Sequence, residues 1–189
     1  MTDTLKGISV GCTAAEVYVR VAGRGTFQNS QPLRMFALEM VDRGYKAFVV
    51  DLGHCQGMDS TFLGVLAGIG LRLRQINGGG HVHVTNVSAR NTELLQTLGL
   101  DRLFSMNTPV TDHAGSPPPA ETDFHTLPDT DLVDLKQPLK KNETTDLMLE
   151  AHTNLAQADE RNEPKFKDLT KYLRDNTERR RAEQQKTQS

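Results

Sequence analysis

The reading of this chain turns on residues 48–68, FVVDLGHCQGMDSTFLGVLAG. Lys46–Leu52 (KAFVVDL) is a continuous apolar run of strand length, the pattern of a strand covered on both faces. Gly53–Met58 reads as a loop. Asp59 or Ser60 then stands where an N-cap belongs, ahead of a helical face of Phe62, Leu63, Leu66 and Ile69 that runs to about Ile76. A hydroxyl at that place lies at the positive end of a helix, beside backbone N–H groups without intrahelical partners. A phosphate added there suits the helix, whereas a protein packed on the same spot meets an uninvited charge and its hydration shell. Ser60 is therefore a candidate binding switch. A serine that only caps its helix, contributing about 1 kcal/mol, would occupy the same position.

Working outward, Glu16–Val21 alternates, with Val17, Val19 and Val21 on one side and Glu16, Tyr18 and Arg20 on the other, which is a half-buried strand. Ile8–Cys12 precedes it at hairpin spacing. Gly23–Asn29 reads as a polar loop, Ser30 as an N-cap with Pro32 in the first turn, and Leu33, Phe36, Ala37, Met40 and Val41 as one helical stripe ending at Gly44. After the glycine turn at Gly78–Gly80, His81–Val87 alternates again. Ser88 opens a third helix with Leu94, Leu95 and Leu98, closed by Gly99, and Leu100, Leu103 and Phe104 fold back as an apolar plug. The order β-β-α-β-α-β-α predicts an α/β fold, a small mixed sheet with helices mainly on one face and a wetter opposite face. The glycines at 64, 68 and 70 lie inside a helix, unlike a dinucleotide fingerprint, and are expected to let that helix approach the sheet.

Composition sets limits. Hydrophobic residues make up 37% and aromatics 5%, with no tryptophan, so part of the chain contributes little to a core. Residues 1–110 carry ten Lys/Arg and eight Asp/Glu, and the remainder twelve and sixteen. This balance argues against nucleic acid as a partner. The N-terminus lacks a secretory pattern, and the apolar stretch Phe62–Leu71 is too short to span a bilayer, so a cytoplasmic protein without membrane partners is expected, with Cys12 and Cys55 reduced. His54, Cys55, His81 and His83 lack metal-ligand spacing, and solvated strand histidines are the better reading, so no metal or other cofactor is expected. Proline-rich 107–141 reads as a linker between a domain at 1–106 and a helical extension at 142–189. The extension has two narrow stripes, Leu147, Met148, Ala151, Leu155 and Phe166, Leu169, Tyr172, Leu173, separated by a break at Asn162–Pro164. Helices so poor in apolar surface should dock on the domain, fray, or pair with another copy as a homo-oligomer.

The strand Val49-Val50-Asp51-Leu52 followed by Met58-Asp59-Ser60-Thr61-Phe62-Leu63-Gly64 resembles the STAS domain of bacterial anti-sigma-factor antagonists, and the element order over 5–105 is similar. The resemblance implies a non-enzymatic protein that binds an anti-sigma-type serine kinase while Ser60 is unphosphorylated, is released when the kinase modifies Ser60, and is reset by a serine phosphatase. It implies Thr61 as a minor phosphorylation site, Asp59 as the acidic neighbour, and the loop of Arg24, Gly25 and Thr26 as part of the partner surface. The family tends to have Gly at the position of Phe62 and a large residue at that of Gly57, so Phe62 is expected to refill the space left at Gly57. It also carries acidic character where this chain has Arg24, which would be able to pair with a phosphate on Ser60. Two other classes stay open: a constitutive scaffold in which Ser60 only caps its helix, and a ligand sensor using the loops around Arg24 and His54.

Overall fold

The structure, a computed structural model, describes residues 7–106, 119–128 and 141–187. Strands β1 (Gly7–Cys12) and β2 (Glu16–Gly25) form the expected antiparallel hairpin, in register from Gly7↔Ala22 to Cys12↔Val17. Helix α1 (Phe27–Asp42) leads to β3 (Ala47–Met58), α2 (Ser60–Gln75) to β4 (His81–Thr85), and α3 (Ala89–Thr97) to the short β5 (Ser105–Met106). These crossovers make β2, β3, β4 and β5 parallel neighbours. With β6 (His125–Leu127) antiparallel to β1, the mixed sheet has the order β5-β4-β3-β2-β1-β6. Val17, Val19, Val21, Phe48, Val50, Leu52, Val82 and Val84 enter one buried cluster with Leu33, Ala37 and Met40 of α1 and with Phe62, Leu63, Leu66 and Leu73 of α2. Leu100, Leu103 and Phe104 join it, and Gly99 adopts the left-handed conformation expected of a helix-ending glycine (φ 67°).

Gly53–Met58, read as a loop, is strand, and the loop read over Gly23–Asn29 divides into strand up to Gly25 and helix from Phe27. β2 and β3 stay paired through Gly25↔Met58, with two register shifts on the way. Parallel pairing supplies the backbone partners that glycine-rich sequence does not signal by propensity, and the bulges absorb the mismatch. The N-cap of α1 is consequently Thr26, not Ser30. Ser30 lies inside the helix, where its hydroxyl donates to the Thr26 carbonyl at 2.7 Å. Gly25 is required by packing, since a Cβ there would lie 2.5 Å from the Phe62 ring. This corrects the expectation for Phe62: the ring fills the space over Gly25, while nothing lies within 4 Å of a Cβ built on Gly57.

The second face of the sheet is drier than its polar alternation implies. Glu16 and Tyr18 are buried, with Tyr18 Oη donating to Glu16 Oε2 at 2.7 Å. Burial and the neighbouring carboxylate push the Tyr18 hydroxyl well above its ordinary pKa. Part of the segment read as linker covers this face: Phe124 lies under the Arg20 guanidinium (3.8 Å to the ring centroid), Glu121 pairs with Arg20 at 2.6 Å, and β6 extends the sheet. Pro109, Pro117, Pro118 and Pro138 of the expected linker lie outside the described residues.

The C-terminal extension docks. Helix α4 (Lys141–Ala158) lies along α2, and α5 (Glu163–Thr187) turns back along α4 after a break at Glu160–Asn162. Leu147 and Leu155 are buried, each contributing up to about 1.5–3 kcal/mol, and Ala151 and His152 lie between them. At the break, Asn162 Nδ2 donates to the carbonyls of Leu98 and Leu155, and Lys165 Nζ to that of Thr97. Asp159 is buried against Gly99, where the Arg161 side chain hydrogen-bonds its carboxylate and, with Arg102, holds it below the usual carboxylate range.

Two outcomes follow. Gly25→Ala, which drives a methyl into the sealed Phe62 ring, is expected to destabilise by about 1–3 kcal/mol in urea unfolding. Asp159 stabilises the fold above its unfolded-state pKa, and this contribution is lost as pH falls through the depressed folded-state pKa. The melting temperature should therefore drop more steeply below about pH 4 in the native protein than in Asp159→Asn.

Candidate functional site

Asp59 is the first residue after β3, and its backbone N–H still donates to the Gly25 carbonyl at the end of β2 (2.9 Å). Its carboxylate serves two helices. Oδ1 accepts the Phe62 N–H at 2.9 Å, capping α2, and Oδ2 accepts the Phe27 N–H at 2.8 Å, at the start of α1. Asn29 completes the α1 terminus by accepting the Thr26 N–H at 2.8 Å. Two positive helix ends therefore converge on one negative side chain. The side chain that caps α2 is that of Asp59 and not that of Ser60.

Ser60 is the first residue of α2, and its hydroxyl meets His152 of α4 instead, with Oγ 3.0 Å from Nε2. His152 Nδ1 lies 2.7 Å from the Met148 carbonyl, which can only accept. In the neutral ring Nδ1 therefore carries the proton, and Nε2 accepts the Ser60 hydroxyl. The imidazole is 1% exposed, with Phe166 of α5 on its far side at 5.0 Å between ring centroids. Ser60 itself is half-buried, covered by the extension of its own chain. Thr61, the second candidate hydroxyl, is 3% exposed and presents no surface to a modifying enzyme in this conformation.

One turn further on, α2 and α4 touch backbone to backbone. A Cβ on Gly64 would overlap the Ala151 carbonyl, and one on Gly68 would overlap the Asn154 amide. Asn154 Nδ2 also donates to the Gly64 carbonyl at 3.2 Å. Gly64 and Gly68 therefore admit α4, not the sheet as expected from sequence, while Gly70 makes room for Leu103 and Phe104.

Gly25 and Thr26 adjoin Asp59 as the motif implies. Arg24 is exposed and opens onto a groove walled by Gly57, Met58, Arg90, Glu93, Leu94 and Thr97, on the α3 side. The Ser60 hydroxyl, by contrast, is bonded to α4. His54 is exposed, and Cys55 is buried with its Sγ 3.6 Å from the Gly57 carbonyl, where burial raises its thiol pKa. His81 and His83 stack edge to face on β4, and no group of three potential metal ligands occurs among the described residues. Sequence reading missed His152: nothing local marks it, because its partner lies 92 residues earlier in the chain.

A family model described as Mlab, STAS domain matches residues 8–106, just over half of the chain, and the chain belongs to this family. Similar solved structures include an anti-sigma factor antagonist from Mycobacterium paratuberculosis (18% identity, 59% of this chain and 92% of that one, TM-score 0.48). Others are the anti-sigma factor antagonist SpoIIAA in its unphosphorylated form (16%, 57% and 94%, TM-score 0.45) and the Bacillus cell fate determinant SpoIIAA in the phosphorylated form (18%, 54% and 92%, TM-score 0.46). No curated protein matches the chain. Among the described residues, no helix is long and apolar enough to cross a membrane.

Asp59→Ala removes an acceptor from two helix ends and is expected to cost about 1–4 kcal/mol in urea unfolding, one cap's worth from each helix. Asp59→Asn, with one carbonyl oxygen for two amides, should fall between.

Proposed function

We propose that this protein is a phosphorylation-regulated binding module of the anti-sigma-factor-antagonist kind, working in the cytoplasm without catalysing a reaction itself. Its partner is an anti-sigma-type serine kinase that recognises the surface around Ser60, with Asp59, Gly25, Thr26 and Arg24 at its margin. A serine phosphatase reverses the modification. Residues 1–106 form the switch domain in this reading, 107–141 connect it, and 142–189 are an appended arm.

One observation carries the reading. Asp59 takes over the capping of α2, which leaves the Ser60 hydroxyl at the first position of the helix with no structural duty to that helix. A phosphate there adjoins first-turn N–H groups and the positive end of the dipole, so α2 tolerates it. A partner covering the same spot must strip its hydration, which favours release. Membership of the STAS family and the Asp59-Ser60-Thr61 motif support the same assignment.

The test is phosphosite mapping on protein isolated from its native cells, combined with affinity capture by two variants. Phosphate is expected at Ser60, and Ser60→Ala should retain a serine kinase that Ser60→Asp loses. A chain never modified at Ser60, with equal capture by both variants, would replace this reading with a constitutive scaffold.

A further inference from the structure

The surface assigned to a partner is occupied in this conformation by the chain itself. α4 lies on α2 with its backbone against Gly64 and its Asn154 side chain against Gly68, and His152 engages the Ser60 hydroxyl. We propose that α4 and α5 form a removable arm, an intramolecular occupant of the α2 surface, and that a phosphate on Ser60 and a docked arm exclude one another. The proposal rests on the reading of Ser60 as a modified residue and adds what the modification acts on inside the chain.

The docked arm stands in hydrogen-bond contact with the atom a phosphate would modify. The Ser60 oxygen is 3.0 Å from the nitrogen of a ring that is 1% exposed, and that ring is backed by Phe166. A single methyl at Gly64, one turn along the same face, already overlaps the α4 backbone. Three phosphate oxygens and their water would have to displace the His152 ring from this contact, and the adjacent Asp59 carboxylate repels the added charge. Conversely, an enzyme reaching the Ser60 hydroxyl must first lift α4. Lifting α4 takes α5 with it, because His152 packs on Phe166, and Thr177 and Arg180 hold Asp146 at 3.1 and 2.7 Å.

Leu147, Leu155 and Asn162 anchor the arm by burial, and its attachments at the margin are of an exchangeable kind. Glu150 pairs with Arg34 of α1 at the surface (2.8 Å), Lys165 reaches the exposed end of α3, and the seam beside α1 keeps a cavity of about 260 Å³ walled partly by Arg34, Arg72, Glu150 and Asn154. Surface ion pairs and polar seams add little to docking strength, so displacement of the arm is opposed chiefly by the burial of Leu147 and Leu155. The expected competitor is a helix that presents a small residue to Gly64, as α4 presents Ala151, since any larger side chain at the point of closest approach would be excluded.

The test uses amide hydrogen exchange on the purified full chain in three forms. Gly64→Ala/Gly68→Ala places two methyls in the seam while raising the helix propensity of α2, so the sheet domain should be preserved. The second form carries phosphoserine at position 60, installed during translation, and the third is wild type. In both altered forms the amides of 141–187 are expected to exchange at least about tenfold faster than in wild type, with β2 and β3 unchanged. Arm amides that stay within about twofold of wild type in either altered form overturn the proposal. So does equal acceleration of β2 and β3, which would make the arm an integral part of one cooperative fold. Because the double-alanine form carries no phosphate, its result does not depend on whether Ser60 is modified in cells, and phosphosite mapping does not depend on arm docking.

Discussion

The fold's organisation around the switch depends on where one carboxylate sits. Asp59 emerges at the end of β3, is tied by its N–H to the end of β2, and offers one oxygen to each of two helix N-termini. Each terminus brings amides without intrahelical partners and a partial positive charge. A single anion satisfying both fixes the angle at which α1 and α2 leave the sheet. It also determines what the next residue can do. With the capping role filled, Ser60 is held at a fixed place and direction without its hydroxyl being consumed by its own helix. Its neighbour Thr61 is turned into the core by the same helical geometry.

Close packing behind this point explains residues that depart from the family pattern. The Phe62 ring needs the absent side chain of Gly25, one strand away, so the exchange of bulk runs between α2 and β2. The pairing of an aromatic residue with a nearby glycine is legible in sequence, but the glycine beneath the ring is Gly25 and not Gly57. A glycine signals that something approaches closely without saying what. The same ambiguity applied to Gly64 and Gly68, whose requirement comes from a helix more than 80 residues further along the chain.

What was legible and what was not divides along the distance over which interactions act. The hairpin, the apolar β3 run, the Ser88 and Gly99 helix boundaries and the break near Asn162 are local consequences of periodicity and capping, and the structure has them. The extension of β2 and β3 through glycine-rich sequence comes from their pairing with each other, which propensity does not encode. β6 is three residues long and was absorbed into a proline-rich stretch; its place is set by β1, over a hundred residues earlier. In α5 the apolar stripe was drawn too wide. Leu173 and Thr177 are buried and Phe166 is half-buried, whereas Leu169 is 36% and Tyr172 63% exposed. A helix that packs chiefly against a single other helix needs only the narrower seam.

The Ser60–His152 bond joins these two scales. Its first half can be read from a motif of a few residues; its second half appears only when the chain has folded back on itself. A hydroxyl at a helix tip is a small polar group that a buried imidazole can hydrogen-bond, and both ring nitrogens of His152 have partners. Replacing its proton with a phosphoryl group changes charge, volume and hydration at once, one turn from the place where the α4 backbone closes on Gly64. The contrast between a well-satisfied hydroxyl and an added dianion gives a single modification leverage over two helices of 18 and 25 residues, with no rearrangement of the sheet required. The same logic assigns the core and the arm different tasks. The sheet and Asp59 hold the serine still, and the sparsely apolar arm, fastened at its edges by exposed ion pairs and lysine-to-carbonyl bonds, is the element whose position can respond.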